Sequence, residues 1–215
     1  MRVKMRTSNE DYVRKILKEL KKLDYIRPEE IPDIHLYMDQ VTTFMDEHLK
    51  ASKRFQDDKM LTKTMINNYT KNNLLPSPIK KKYSKEHMLL LIFIYYFKNI
   101  LTISDIQSIF GPLTKRFYGD DKEISLEEVY KEVFSYEQDQ IDALTRDVIR
   151  KFKNAEHSFK SVENEEDREF LVTFTFICLL SFDVYVKKMM IEKLIDNHLS
   201  ERFPSQNGKT TESTK

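Results

Sequence analysis

Apolar positions recur at helical spacing along almost the whole chain. Val13, Ile16, Leu17, Leu20 and Leu23 fall on one face of a helix predicted over residues 9–24. Pro28 and Pro32 deny helix to the residues before them and mark a turn-rich connector. Asp33 is placed to cap a second helix reaching about Ala51, with Leu36, Val41, Phe44, Met45 and Leu49 inward. After a polar loop over residues 52–59, Thr62 reads as the N-cap of a helix through Met65, Ile66 and Tyr69 that ends near Asn73, before Pro76 and Pro78. Residues 80–83 form a short extended strip. Ser84 caps the next helix, with Glu86 and His87 in its first turn and Met88, Leu89, Leu91, Ile92, Ile94, Tyr95 and Phe97 along it. A short helix from Thr102 or Ser104 to Phe110 is expected to stop at Gly111 and Pro112. Ser125 and Glu128 make a capping box that opens a polar helix to about Asn154.

The run over residues 170–186, FLVTFTFICLLSFDVYV, breaks the amphipathic pattern. It is too apolar all round for a surface helix. A membrane span needs about twenty apolar residues. This run is shorter and holds Thr173, Thr175, Ser181 and Asp183, so it is read as the central helix of a bundle and not as a membrane span. The last helix is expected to start in the acidic stretch 163–169 and to reach about Leu199. Two other roles stay open for this helix. Phe170, Phe174, Phe182, Asp183 and Tyr185, together with Phe176, suit a dimer core or the lining of an effector pocket, and core packing explains the aromatics equally well. Residues 200–215 have the composition of a disordered tail.

Composition narrows the class. Only three glycines and six prolines in 215 residues favour helices over hairpin-rich sheets. The expected fold is all-α, with at most a small wing hairpin. No Gly-rich loop suits a phosphate or a dinucleotide. Cys178 is the only cysteine, so no internal disulfide forms, and a cytoplasmic location is expected. His35, His48, His87, His157 and His198 show no close pair at ligand spacing, so no metal site is expected. There is no nucleophile–base set either; the reading is of a protein that is not an enzyme and takes no cofactor.

Charge then singles out one region. The formal net charge is only +1, yet residues 59–85 carry seven lysines and no Asp or Glu. Residues 1–22 are also basic, and residues 119–169 are acidic. A charge run by itself is more often a solvated helix face. Here the lysines are interleaved with Asn, Thr and Tyr, which is what a DNA backbone attracts. Asn67 and Asn68 are suited to pair with adenine N6 and N7. Lys63, Thr64, Tyr69 and Lys71 are suited to hold phosphates, with Tyr69 also open to a half-core role, and Lys80, Lys81 and Lys82 to reach the flanking backbone or minor groove. Asparagines alone would read as ordinary helix surface. Their place between lysines, before a proline-ended turn and a triple lysine, favours DNA contact. Tyr83 reads as a packing residue at the base of the strip.

The order of these parts resembles the DNA-binding domain of MerR-type bacterial transcription regulators. Thr64–Tyr69 (TMINNY) is similar to the recognition helix, Leu74-Leu75-Pro76 to its end, Lys80-Lys81-Lys82-Tyr83 to the wing strip, Ser84-Lys85-Glu86-His87 to the following cap, and Ile103-Ser104-Asp105-Ile106 to the last helix. The whole chain is similar to a bacterial branch of that group known mainly as a domain of unknown function. Asn67 stands where the family usually has Arg, and the wing lacks its Gly. The resemblance implies a winged helix-turn-helix domain over residues 33–113. An N-terminal helix and connector (1–32), a helical dimerisation or effector region (114–200) and a tail (201–215) complete the chain. It implies a sequence-specific DNA-binding regulator. The partners expected are double-stranded DNA, a second copy of the chain on an inverted repeat and, as an option, a small-molecule effector. The alternative is a helical protein-interaction (adaptor) module without specific DNA binding.

Overall fold

A computed structural model describes residues 9–20, 25–55, 57–58 and 60–203. Among these residues the protein is all-α apart from one short antiparallel strand pair, as the glycine-poor composition predicts. The elements are α1 (Asn9–Leu20), β1 (Leu36–Tyr37), α2 (Met38–His48), α3 (Lys63–Lys71), β2 (Lys82–Tyr83), α4 (Lys85–Phe97), α5 (Ile103–Phe117), α6 (Leu126–Ser135), α7 (Glu137–Glu156) and α8 (Glu165–Lys193). A π-helical stretch, Leu194–Leu199, and a last turn, Ser200–Arg202, follow. The predicted tail is therefore still helical at its start; from residue 204 it lies outside the described residues. Residues 21–24, the end of the first predicted helix, also lie outside them.

The chain divides into two compact units. The larger comprises Ile26–Phe134 and Lys188–Lys215. Its centre is α4, in which every residue from His87 to Tyr95 is buried. Phe93 packs edge-on against Tyr130 of α6, and Phe97 against Phe110 of α5. Tyr130 is fully buried, and its hydroxyl donates to the Ile26 carbonyl at 2.7 Å, tying α6 to the start of the unit. Residues on all sides of α4 are apolar because all sides are covered. β1 and β2 pair antiparallel, with Leu36 opposite Tyr83 and Tyr37 opposite Lys82.

Three boundaries differ from those the sequence predicts. α2 does not start at an Asp33 cap but at Met38, after Tyr37, because Leu36 and Tyr37 are taken up in pairing with β2, and it ends at His48. α5 does not stop at Gly111-Pro112 but runs on to Phe117. Pro112 removes one backbone donor, yet the helix is held beyond it by Thr114, whose hydroxyl donates to the Phe110 carbonyl at 2.7 Å. The polar helix over 125–154 is two helices, α6 and α7, separated at Tyr136.

The smaller unit comprises Met1–Tyr25 and Ser135–Lys187. Val13 and Leu17 of α1 meet Val148 and Phe152 of α7, and Phe176 and Leu180 of α8 pack on them. Lys151 of α7 pairs with Asp183 of α8 at 2.6 Å, which gives the one carboxylate of the apolar run a partner. The reading of α8 as a central bundle helix does not hold within this chain. In α8 only Val172 is buried, whereas Phe170, Phe174, Ile177, Phe182, Val184 and Tyr185 are each more than half exposed. The reason is that α1 and α7 cover a single side of it. By length and composition alone, Glu165–Leu199 is long and apolar enough to cross a membrane.

Candidate nucleic-acid interface

α3 starts where Thr62 places its side-chain oxygen to accept from the Met65 amide at 3.2 Å. Its length of nine residues is divided cleanly between two faces. Ile66 and Tyr69 are buried, while Lys63, Thr64, Asn67, Asn68 and Lys71 are exposed and share the other face at i, i+1, i+4, i+5 and i+8. Tyr69 is thus a core residue, 5% exposed, and burial raises its pKa. It is not available to hold a phosphate as the sequence reading had it, because the periodicity that turns Ile66 inward turns Tyr69 inward too. The helix closes on Asn72 and on Asn73, whose φ of 54° lies in the left-handed region where Asn is favoured. The Leu74 and Leu75 amides then both donate to the Tyr69 carbonyl.

Beyond Pro78 the chain reverses in two residues. Lys80 and Lys81 have φ of 50° and 63°, and the Lys82 amide donates to the Ile79 carbonyl at 2.9 Å. Positive φ at both central positions is the signature of a type I′ hairpin turn, whose twist suits flanking strands. Lys80 and Lys81 stand exposed at its tip. Lys82 is different, being half-buried with its ammonium 5.2 Å from the centre of the Tyr37 ring. Tyr83 is buried at the base, as predicted.

The turn and α3 are both tied to the start of α2. Lys63 pairs with Asp39 in the first turn of α2, and Lys82 rests on Tyr37, the residue that precedes α2. At the other side, Lys98 donates to the Met60 carbonyl at 2.7 Å and fixes the segment leading into α3. Burial lowers the Lys98 pKa.

The residue that anchors this region was visible in the sequence only as part of a helix cap. His87 is 2% exposed. Its Nδ1 accepts from the Ser84 amide at 3.0 Å and lies 2.8 Å from the Ser84 hydroxyl. The Tyr118 hydroxyl meets the ring at 3.1 Å. Burial pushes the His87 pKa down to about 4, against the opposing pull of the Pro76 and Ser77 backbone. The imidazole is therefore neutral at pH 7, and it joins the N-terminus of α4, the end of α5 and the chain leaving α3. Beside it, Glu86 accepts from the Gly119 amide at 3.0 Å, and burial raises its pKa. A cavity of about 700 Å³ opens next to these groups, with Ile34, Ile79, Lys82, Tyr118 and Lys122 among its walls. Ser-x-x-His at 84–87 is the signal that could have found this anchor, since a side chain at the third helical position reaches back to the cap.

The sequence of residues 26–133 matches a family model described as Domain of unknown function (DUF1836), half of the chain. The chain belongs to the DUF1836 family. The matched segment coincides with the Ile26–Phe134 part of the larger unit, so the DUF1836 domain includes β1, the exposed face of α3, the lysine turn and the His87 anchor. It begins earlier and ends later than residues 33–113, because the connector and α6 are packed into the same core through Tyr130 and Ile26. No curated protein and no solved structure matches the chain.

The second group of predicted residues lies elsewhere. Phe170, Phe174, Phe182 and Tyr185 point to solvent from α8, and Asp183 faces α7. Cys178 is exposed on the same helix. Among the described residues no group of three or more His, Cys, Asp or Glu is arranged to hold a metal ion.

Proposed function

We propose that this protein is a sequence-specific, DNA-binding transcriptional regulator that acts as a homodimer on an inverted repeat. The observation that carries the reading is the outer face of α3. Lys63, Thr64, Asn67, Asn68 and Lys71 form an exposed stripe of ammonium, hydroxyl and amide groups, on a helix fixed to its unit by Ile66 and Tyr69. A helix of this kind fits the major groove, where Asn pairs with adenine and Lys holds phosphates. The exposed Lys80 and Lys81 add two charges on a rigid turn tied to the same end of α2. Lys82 contributes less, since its charge already rests on Tyr37.

The test is selection from a random duplex library with the full chain at near-physiological salt. An inverted repeat is expected. Replacing Asn67 with Ala should flatten base preference at the adenine positions, whereas replacing Lys80, Lys81 and Lys82 together should weaken binding to every sequence. Recovery of no motif, with binding that vanishes as salt rises, removes the regulator reading. It would then favour the second one, a helical adaptor, for which the bare apolar face of α8 is the supporting observation.

A further inference from the structure

We infer that the cavity beside His87 binds an aliphatic polyamine, a chain of ammonium groups joined by methylenes. The site lies wholly within the Ile26–Phe134 part of the larger unit. It goes beyond the DNA-contact reading, with which it shares only Lys82 in its wall. Its volume of about 700 Å³ falls within the roughly 300–1,000 Å³ of small-molecule sites. The stretch before β1, the lysine turn, the start of α4, and the start of α6 with the loop before it build the wall. Ile34 and Ile79 give it an aliphatic surface and are 63% and 70% exposed.

The charges in the wall divide into those already answered and those left open. Lys85 pairs with Glu127 at 2.8 Å, and Lys131 with Glu127 at 2.9 Å and with Glu29 at 3.1 Å. Lys82 lies over the Tyr37 ring, and Lys122 is 3.4 Å from Asp121. Glu128 accepts from the Ser125 amide and hydroxyl, at 2.8 Å each. Every lysine of the wall thus has a partner. Asp33, Glu86 and Asp120 are in the opposite position: among the described residues no Lys or Arg pairs with them. Glu86 has only the Gly119 amide, and burial together with the nearby Asp120 charge raises its pKa. Three open carboxylates in a recess draw in a cation. Both helix starts in the wall are capped by their own side chains, Ser84 with His87 and Ser125 with Glu128, so neither presents an open anion site. The carboxylates do not converge as metal ligands do, since no group of three or more His, Cys, Asp or Glu among the described residues is arranged to hold a metal ion. Carboxylates spread along a wall, with isoleucines in the same surface, suit a ligand whose own charges are spaced along a hydrocarbon chain.

Equilibrium dialysis of the full chain against radiolabelled spermidine, without DNA and at near-physiological salt, tests this. One spermidine is expected per chain. Asp33→Asn and Asp120→Asn each neutralise an open carboxylate, and each is expected to weaken binding about tenfold with an unchanged melting curve. Glu163→Gln, which removes an exposed carboxylate outside the wall, should leave binding as it is. 1-Aminobutane, with a single ammonium, should compete at least about tenfold more weakly than unlabelled spermidine. No retained spermidine overturns the proposal. A loss from Glu163→Gln equal to that from Asp120→Asn overturns it in favour of general charge attraction. Displacement of spermidine by an equal concentration of magnesium chloride overturns it in favour of a metal-ion site.

Discussion

Lys80 and Lys81 occupy left-handed conformations that Asn and Gly reach with less strain. A non-glycine residue held there costs on the order of 1–3 kcal/mol. Lys81→Gly is therefore expected to raise the free energy of unfolding by about 1 kcal/mol while weakening DNA binding, read by urea melts and by fluorescence anisotropy on a selected duplex. A variant that is more stable and binds DNA equally well would show that the lysine tip has no contact role. His87 makes a second residue-scale prediction. Its folded pKa of about 4 lies below the ordinary histidine value of 6.5. The unfolded chain thus takes up the proton first as pH falls, and the stability contributed by the neutral ring is complete above pH 6.5 and lost towards pH 4. Between pH 7.5 and pH 5 the loss from this group is about 2 kcal/mol. His87→Gln should be less stable at pH 7 but show a pH dependence shallower by that amount in parallel urea melts. Equal slopes for both proteins would mean that His87 titrates normally.

At the scale of elements, α3 does not act alone. Asp39 in α2 holds Lys63 and offsets its charge at the N-terminal end of the helix. Asp39→Asn is expected to tighten DNA binding a few-fold and to steepen its salt dependence by about one counterion, measured as affinity against salt concentration. Unchanged salt dependence would place Lys63 outside the interface. The inward and outward faces of α3 were legible in the sequence because Ile66 sets its phase and Thr62 its start. Tyr69 was read both as a phosphate contact and as half core, and the phase of Ile66 places it fully inward. The neutral His87 could not be read from the chain, because its burial depends on Tyr118, thirty-one positions away. α4 and α8 show the wider difficulty. Both are apolar all round, and sequence alone gives no means of telling a helix surrounded by its own unit from one covered on a single side. Pro112 is a similar case: the local signal says stop, and Thr114 together with the packing of α5 overrides it.

For the molecule as a whole, the proposed regulator would present only two asparagines of one α3 to base edges, which is too little sequence information for a unique site. A two-fold pair doubles the reading and fixes the spacing between the two half-sites. It also makes the second contact effectively intramolecular, which raises affinity by about 10²–10⁴ when the geometry allows both contacts at once. If two copies pair through the exposed apolar residues of α8, such as Phe170, Phe174 and Ile177, that face and the outer face of α3 are expected to be coupled through affinity. Ile177→Glu, which leaves every residue of the proposed DNA contact in place, should lower affinity for a complete inverted repeat by about a hundredfold and leave affinity for an isolated half-site almost unchanged. Anisotropy titrations on the two duplexes separate the possibilities. An equal loss on both would mean that the substitution damages the fold of the DNA-binding unit. No loss on either would mean that a single copy reads the site or that the copies meet elsewhere. Only a loss confined to the full repeat fits a protein whose specificity comes from pairing two short recognition helices through a separate apolar face.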